Sequence, residues 1–393
     1  MHDFDHLAEA LQPHYSHFNV ANRLLFTGHS HQAWPDAAFL GIQEYMQTVA
    51  DKVDAKWEPA EEKTEMLRSY LRNWYDDPNG RYCREQNTHV LIVSWLSSLP
   101  LIEKPKIITT EGEFHSLRRQ LQSLEQHGIE IVRLPAESDQ RLTEELKKTI
   151  DSNTCAVMMS RVYYQSARIN TAIPEIATVC RKHNVPLLID DYHGTNVAPL
   201  SLRNEPMDDL FLLIGGYKYL QWGEANCFLR FPSNCTLKPA ITGWFAAFGE
   251  LEKPQDGTVS FDDGDQRFAT ATYDPISQFR AAEVVRFFRT QGLSPQVLEK
   301  QYRDQVQFLG SLFDDRNPDP SVIRRTHNAP PEQTGGFLSL TSPYARDLRT
   351  KLFEKGIYTD ARDNILRLGP APYITSKQCV GVIGALFEEI DHL

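Results

Sequence analysis

Seven short apolar runs, rich in β-branched residues, recur through the middle of the chain at 90–94, 106–110, 129–134, 156–160, 186–190, 210–214 and 226–231. Segments with helical spacing of apolar positions lie between several of them, at 116–127, 143–150 and 173–183. Strands joined through helices run parallel, and a parallel sheet must be covered on both faces. The alternation therefore predicts an α/β unit with a mostly parallel seven-stranded sheet covered by helices. From about residue 281 the texture changes to long amphipathic helices at 281–290 and 295–314. Short apolar runs follow at 322–326, 336–340, 357–361 and 365–368, with a helix near 344–354 and a last one from 376. That order predicts a smaller α+β unit. The expected division is an N-terminal covering segment, 1–50, a large unit, 51–285, and a small C-terminal unit, 286–393.

The bulk properties narrow the class of protein. At 393 residues, with 41% hydrophobic and 24% charged residues, the chain can bury a sizeable core. No apolar run approaches membrane-spanning length, and the N-terminus Met-His-Asp-Phe-Asp-His-Leu lacks a basic stretch followed by an apolar one. The expectation is a cytoplasmic protein with no membrane role. A net charge of −11 opposes non-specific nucleic-acid binding, while leaving room for a local basic pocket and a small anionic ligand. Six cysteines, at 83, 155, 180, 227, 235 and 379, show no zinc-type spacing and read as reduced, packed thiols.

One lysine stands in an unusual place. The apolar run 210–214 leads into Gly215-Gly216-Tyr217-Lys218-Tyr219, so an ammonium group follows the end of a buried strand. Burying that charge is costly unless the amine is paired, deprotonated or covalently used. On this segment alone it is either a lysine that snorkels to solvent or an amine poised to form a Schiff base. The preceding strand ends in Asp190-Asp191-Tyr192-His193. In an open α/β sheet, ligands sit beyond the carboxyl ends of strands, which puts acid and amine at one cavity. Asp190 could otherwise simply cap its loop. Pyridoxal phosphate would explain both groups, since it needs a lysine for its aldehyde and a carboxylate to keep its ring nitrogen protonated. It also needs a flat side chain against the ring, and hydroxyls with backbone amides for its phosphate.

At these residues the chain resembles the kynureninase branch of the class V, fold type I, pyridoxal-phosphate enzymes. The resemblance rests on the Asp190 to His193 strand end, on Gly216-Tyr217-Lys218-Tyr219-Leu220, and on Lys238-Pro239-Ala240-Ile241-Thr242-Gly243-Trp244-Phe245. It extends to Lys106 to Phe114, to Arg267-Phe-Ala-Thr-Ala-Thr272 and to Asp360-Ala-Arg362-Asp-Asn-Ile-Leu-Arg367, and so covers nearly the whole chain. It implies a fold type I architecture whose residues 51–285 bind the cofactor, with 1–50 covering the active site.

The resemblance also implies roles. Lys218 is the Schiff-base lysine, Asp190 partners the ring nitrogen, His193 lies near the phenolic edge and Phe114 stacks on the ring. Tyr217 hydrogen-bonds the phosphate and protonates the leaving carbon. Leu96, through its backbone, and Ser97 stand in the phosphate loop after the apolar run 90–94, and Thr272 reaches the phosphate of a neighbouring subunit, which implies a homodimer. Arg367 binds the substrate α-carboxylate and Trp244 lines the substrate pocket. His29 and Ser30, in Gly28-His29-Ser30-His31, occupy the loop over that pocket; they suggest metal ligands only if a third ligand stands nearby, and none is placed beside them, so no metal is expected.

Two departures bear on the reaction. Kynureninases carry an aspartate three residues after the stacking phenylalanine, where this chain has Leu117, and an asparagine near the Thr272 segment, where none precedes Asp274. The expected activity is a kynureninase-like hydrolytic Cβ–Cγ cleavage of an amino acid, with a class V aminotransferase as the alternative. A cysteine desulfurase is disfavoured because the region 356–367 holds no cysteine to accept sulfur.

Overall fold

A computed structural model of the chain describes residues 2–250 and 257–393. Its centre is a seven-stranded sheet built from β1 (Arg81–Glu85), β2 (Lys106–Thr110), β3 (Glu130–Leu134), β4 (Thr154–Ser160), β5 (Leu187–Asp190), β6 (Phe211–Gly215) and β7 (Cys227–Phe231). The spatial order is β1-β7-β6-β5-β4-β2-β3, and only β7 runs antiparallel to its neighbours. The register places Ser160 beside Asp190 at the carboxyl ends of β4 and β5. Helices His115–Gln126, Asp139–Thr149 and Ile173–Lys182 connect the parallel strands, close to their expected positions.

The seventh strand is not where the apolar pattern put it. Residues 90–94 lie inside a helix, Thr88–Ser97, and the strand is the polar stretch Arg81–Glu85. A short apolar run has no periodicity that separates a buried strand from a buried helix turn. Here Asn87 decides, because its side chain accepts the Val90 backbone N–H at 3.1 Å and caps the helix. The charges of β1 are hidden from a hydrophobicity reading because Arg84 and Glu85 find polar partners inside. Arg84 donates to Ser277 Oγ at 2.8 Å, and Glu85 accepts from the Thr270 backbone N and Oγ1 at 2.7 and 2.8 Å.

A second sheet has the order β10-β11-β9-β8, formed from β8 (Arg324–Arg325), β9 (Leu338–Thr341), β10 (Asp360–Arg362) and β11 (Ile365–Leu368). Helices Pro295–Asp314, Ala345–Glu354 and Ser376–Ile390 accompany it. Helix Ile276–Thr290 runs through the boundary expected near residue 285 and packs on Ala37–Lys52 and Trp57–Trp74. One buried apolar cluster continues from Val157, Ile189 and Leu212 of the large sheet to Leu340, Leu366 and Leu386 of the C-terminal part. The N-terminal segment is stitched into this C-terminal part: Leu24–Leu25 pairs in parallel with Ile357–Tyr358, and Thr27 bridges Gly369. Gly28 allows the closest approach, since a Cβ there would stand 2.3 Å from the Pro370 carbonyl oxygen.

Candidate active site

The carboxyl ends of the large sheet converge on a cavity lined by Thr88, Phe114, Ser160, Tyr164, Asp190, Tyr192, His193, Tyr217 and Lys218. Strand alternation explains why Asp190 is there and Asp191 is not. Asp191 turns into the protein, where Arg161 clamps it through Nε and Nη2 at 2.6 and 2.9 Å and Tyr75 donates at 2.7 Å. Asp190 accepts the Tyr192 backbone N–H on Oδ1 at 3.0 Å, and its second oxygen has no partner among the described residues. Burial raises its pKa, against the opposing pull of Lys218.

Lys218 is 5% exposed, and its Nζ lies 2.7 Å from His193 Nε2. Phe114 and Tyr192 present ring faces to the amine, with centroids 5.4 and 5.3 Å away. Burial brings the amine down to about 7; Asp190 opposes the shift and Arg367 adds to it. The same burial, with Lys218 beside it, pushes His193 far below its ordinary value and keeps the imidazole neutral. A neutral ring that accepts the lysine proton at Nε2 carries its own hydrogen on Nδ1, and that atom is buried without a partner.

Phe114 is fixed as the N-cap residue of helix His115–Gln126 and meets Tyr164 edge-on at 5.3 Å. Its neighbour Glu113 turns inward and accepts from the Ser160 backbone N and Oγ at 3.1 and 2.7 Å and from Thr110. Burial raises this carboxyl to about 7, with nearby Asp190 adding to the shift. Leu117, by contrast, is buried core.

The expected phosphate residues are not brought to this cavity. Leu96 and Ser97 sit at the far end of helix Thr88–Ser97, because residues 90–94 are helix rather than strand. Leu96 is core, and Ser97 Oγ donates to the Ser94 carbonyl at 2.8 Å while accepting the Ile241 N–H at 2.9 Å. What reaches the cavity is the helix's first residue, Thr88, hydrogen-bonded to the Tyr192 hydroxyl, with Tyr217 edge-on to Tyr192 and stacked on His31. The short Asn-Thr step after a strand of charged residues was the available signal.

Arg367 is 3% exposed; it pairs with Asp360, donates through Nη1 to the Tyr164 carbonyl at 2.7 Å and lies over the Phe337 ring at 5.7 Å. Its Nε is buried without a partner. His29 is fully buried, 3.5 Å from Asp360, and burial together with Arg367 brings it down to about 3. Ser30 contacts His31 at 3.0 Å on the neighbouring loop. Among the described residues no group of His, Cys, Asp and Glu could hold a metal ion. Trp244 is 45% exposed and rests on Phe245 and Phe248, and Thr272 is exposed; neither lines this chain's cavity.

The residues present fit pyridoxal phosphate. A buried amine stands between aromatic faces, an acid offers a free oxygen, an imidazole offers an orphaned Nδ1, and hydroxyls stand at a helix N-terminus. Residues 83–220 match the aminotransferase class-V family. No curated protein sequence matches the chain. Among solved structures, a C-DES mutant with glycine covalently linked to the PLP cofactor superposes at a TM-score of 0.79 with 18% identity, covering 95% of this chain and 98% of that one. The apo cysteine desulfurase of Thermococcus onnurineus superposes at 0.78 with 15% identity, covering 98% of both chains. A cysteine desulfurase of Escherichia coli superposes at 0.79 with 14% identity, covering 98% of this chain and 99% of that one. The architecture is the fold type I α/β fold of pyridoxal-phosphate-dependent enzymes.

Proposed function

We propose that this chain is a pyridoxal-phosphate-dependent enzyme that acts on an amino acid by kynureninase-like, hydrolytic Cβ–Cγ cleavage. The observation that carries the reading is the buried Lys218 amine, held against a neutral His193 in one cavity with Asp190 and Phe114. When bound through Lys218, pyridoxal phosphate supplies an electron-withdrawing ring that stabilises negative charge on the substrate.

Asp190 would hold a proton at the ring nitrogen through its free oxygen, and Phe114 would cover one ring face. His193, whose Nε2 stands beside the lysine amine, would hydrogen-bond the phenolic edge. Thr88 and Tyr217 offer hydroxyls to the phosphate, beside the open N–H groups of helix Thr88–Ser97. Arg367 receives the substrate carboxylate, Lys218 Nζ takes and returns the Cα proton, and Tyr217 Oη protonates the departing carbon. Thr272 and Trp244, exposed and absent from the lining of their own cavity, serve a second copy in a homodimer.

The second reading is a class V aminotransferase. Buried Leu117 favours it, because the acid of true kynureninases is missing at that position. Desulfurase chemistry is disfavoured, since five of the six cysteines are buried and the partly exposed Cys235 lines a different cavity. The purified protein should be yellow, and borohydride should trap the cofactor on Lys218. A colourless protein indifferent to added cofactor overturns the proposal. Release of alanine with a second product supports cleavage, whereas stable accumulation of the pyridoxamine form supports transfer. Lys218→Ala should abolish either reaction.

A further inference from the structure

A second, exposed cavity lies on the C-terminal side of the active site, lined by His115, Arg346, Arg349, Asp360, Arg362 and Asp363. Arg118 joins it by hydrogen-bonding His115 Nδ1 at 2.7 Å. The cations here exceed the anions. Asp360 is engaged by the buried Arg367 and lies 3.5 Å from Arg362, and Asp363 lies 3.7 Å from Arg346. Arg349 stacks over Phe353 at 5.2 Å and has no carboxylate partner among the described residues. Three guanidinium groups (Arg346, Arg349, Arg362) thus line it against two carboxylates, one of which is also paired with the buried Arg367, on a chain whose net charge is −11. An isolated basic concavity on an acidic protein concentrates small anions.

Its position ties it to the reaction. Two side chains stand between the cavities: Tyr164 lines the first and His115 the second, with ring centroids 5.8 Å apart, while Tyr164 also meets Phe114 at 5.3 Å and its carbonyl holds Arg367. Its phenol lies in the field of Arg118, Arg362, Arg367 and Asp363 together.

We propose that this basic cavity is a second anion site that selects amino acids whose side chain ends in an anionic group. The inference rests on the amino-acid-binding role of the neighbouring cavity. With the amine near Lys218 and the α-carboxylate at Arg367, a side chain extending past Tyr164 ends among Arg346, Arg349 and Arg362.

The test titrates the visible band of the holoenzyme with matched acid and amide pairs, L-glutamate against L-glutamine and L-aspartate against L-asparagine. O-phospho-L-serine against L-serine distinguishes a phosphate end from a carboxylate end. The acid or phosphate member should bind roughly tenfold tighter than its neutral partner, because several partly screened charge pairs add. That advantage should vanish in about 0.5 M salt. It should also vanish in Arg346→Ala/Arg349→Ala, two exposed helix positions whose loss leaves the fold intact, with thermal melting as the check. Equal affinities within every pair, or a double variant that weakens both members alike, overturn the proposal. A protein that forms no visible band refutes the cofactor reading instead. Calorimetry with inorganic phosphate then tests the anion site alone: the double variant should lose binding that the unaltered chain shows, and identical heats overturn the site.

Discussion

The two sides of the active site handle buried polarity in opposite ways. On the sheet side, Asp190 keeps a free oxygen and His193 an orphaned Nδ1, while the one hydrogen-bond partner of the Lys218 amine among the described residues is the imidazole. On the C-terminal side, the Arg367 guanidinium already holds a carboxylate, Asp360, and a main-chain carbonyl, leaving only Nε buried and unpartnered. Unmet hydrogen-bonding capacity in a dry cavity costs free energy that a ligand restores, so the sheet side gains fully on binding. A filled guanidinium gains only the difference between one carboxylate and another. The sheet side is built to retain its ligand, and the C-terminal side to exchange one.

The largest test of that contrast is Asp190→Ala, which removes the one acid that lines the cavity among the described residues. It should lower kcat by on the order of 10²–10³ and shift the visible band, with little change in amino-acid affinity. A loss confined to KM would place Asp190 on the exchanging side. Next comes Arg367→Ala, which should raise KM for the amino acid by roughly a hundredfold. Asp360→Asn should do the reverse and tighten the amino acid several-fold, because it removes the internal competitor. If Asp360→Asn instead weakens binding as Arg367→Ala does, Asp360 positions the arginine rather than competing for it.

Much of the sheet side could be read from sequence, for a physical reason. The strands β4, β5 and β6 are mostly apolar and buried on both faces, so a lysine and an acid at or just beyond their carboxyl ends stand out against them. The pattern failed at β1, where charged residues are satisfied by tertiary partners such as Ser277 and Thr270, far away in sequence. Because of that one exchange of strand for helix, the expectation fell on Leu96 and Ser97, whereas the helix residue that lines the cavity is Thr88. The Asp360–Arg367 pair was named only by its arginine, because an ion pair between neighbouring strands depends on register: Asp360 stands directly opposite Arg367 in β10 and β11.

A smaller effect couples the two sides through charge. Burial, and after it the positive field of Arg367, holds the Lys218 amine down at about 7, while Asp190 pulls the other way. Only the neutral amine attacks an aldehyde, so capture of pyridoxal by the apoprotein, trapped with borohydride, should speed up as pH rises through about 7 and then level off. An ordinary exposed lysine would keep accelerating toward about 10.4. Removing a nearby positive charge stabilises the ammonium form, so in Arg367→Ala the midpoint should move upward. A midpoint that stays put would show that the exchanging side exerts no field on the amine.

A last contrast separates the two ends of one helix. Thr88 opens helix Thr88–Ser97 inside the cavity, and Ser97 closes it some way off, bonded to the Ser94 carbonyl and the Ile241 N–H. A hydroxyl that donates to a charged phosphate contributes about 1.5–3 kcal/mol, so Thr88→Ala should weaken cofactor binding at least tenfold. Ser97→Ala removes two hydrogen bonds of the fold and none of the cavity. It should cost about 1 kcal/mol of stability and leave the cofactor dissociation constant, followed by the visible band, unchanged. The reverse outcome would mean that the phosphate is held at the helix's carboxyl end, where the helix dipole repels an anion. For the cavity to work that way, residues 90–94 would have to leave the helix and become the strand that their apolar side chains alone suggest.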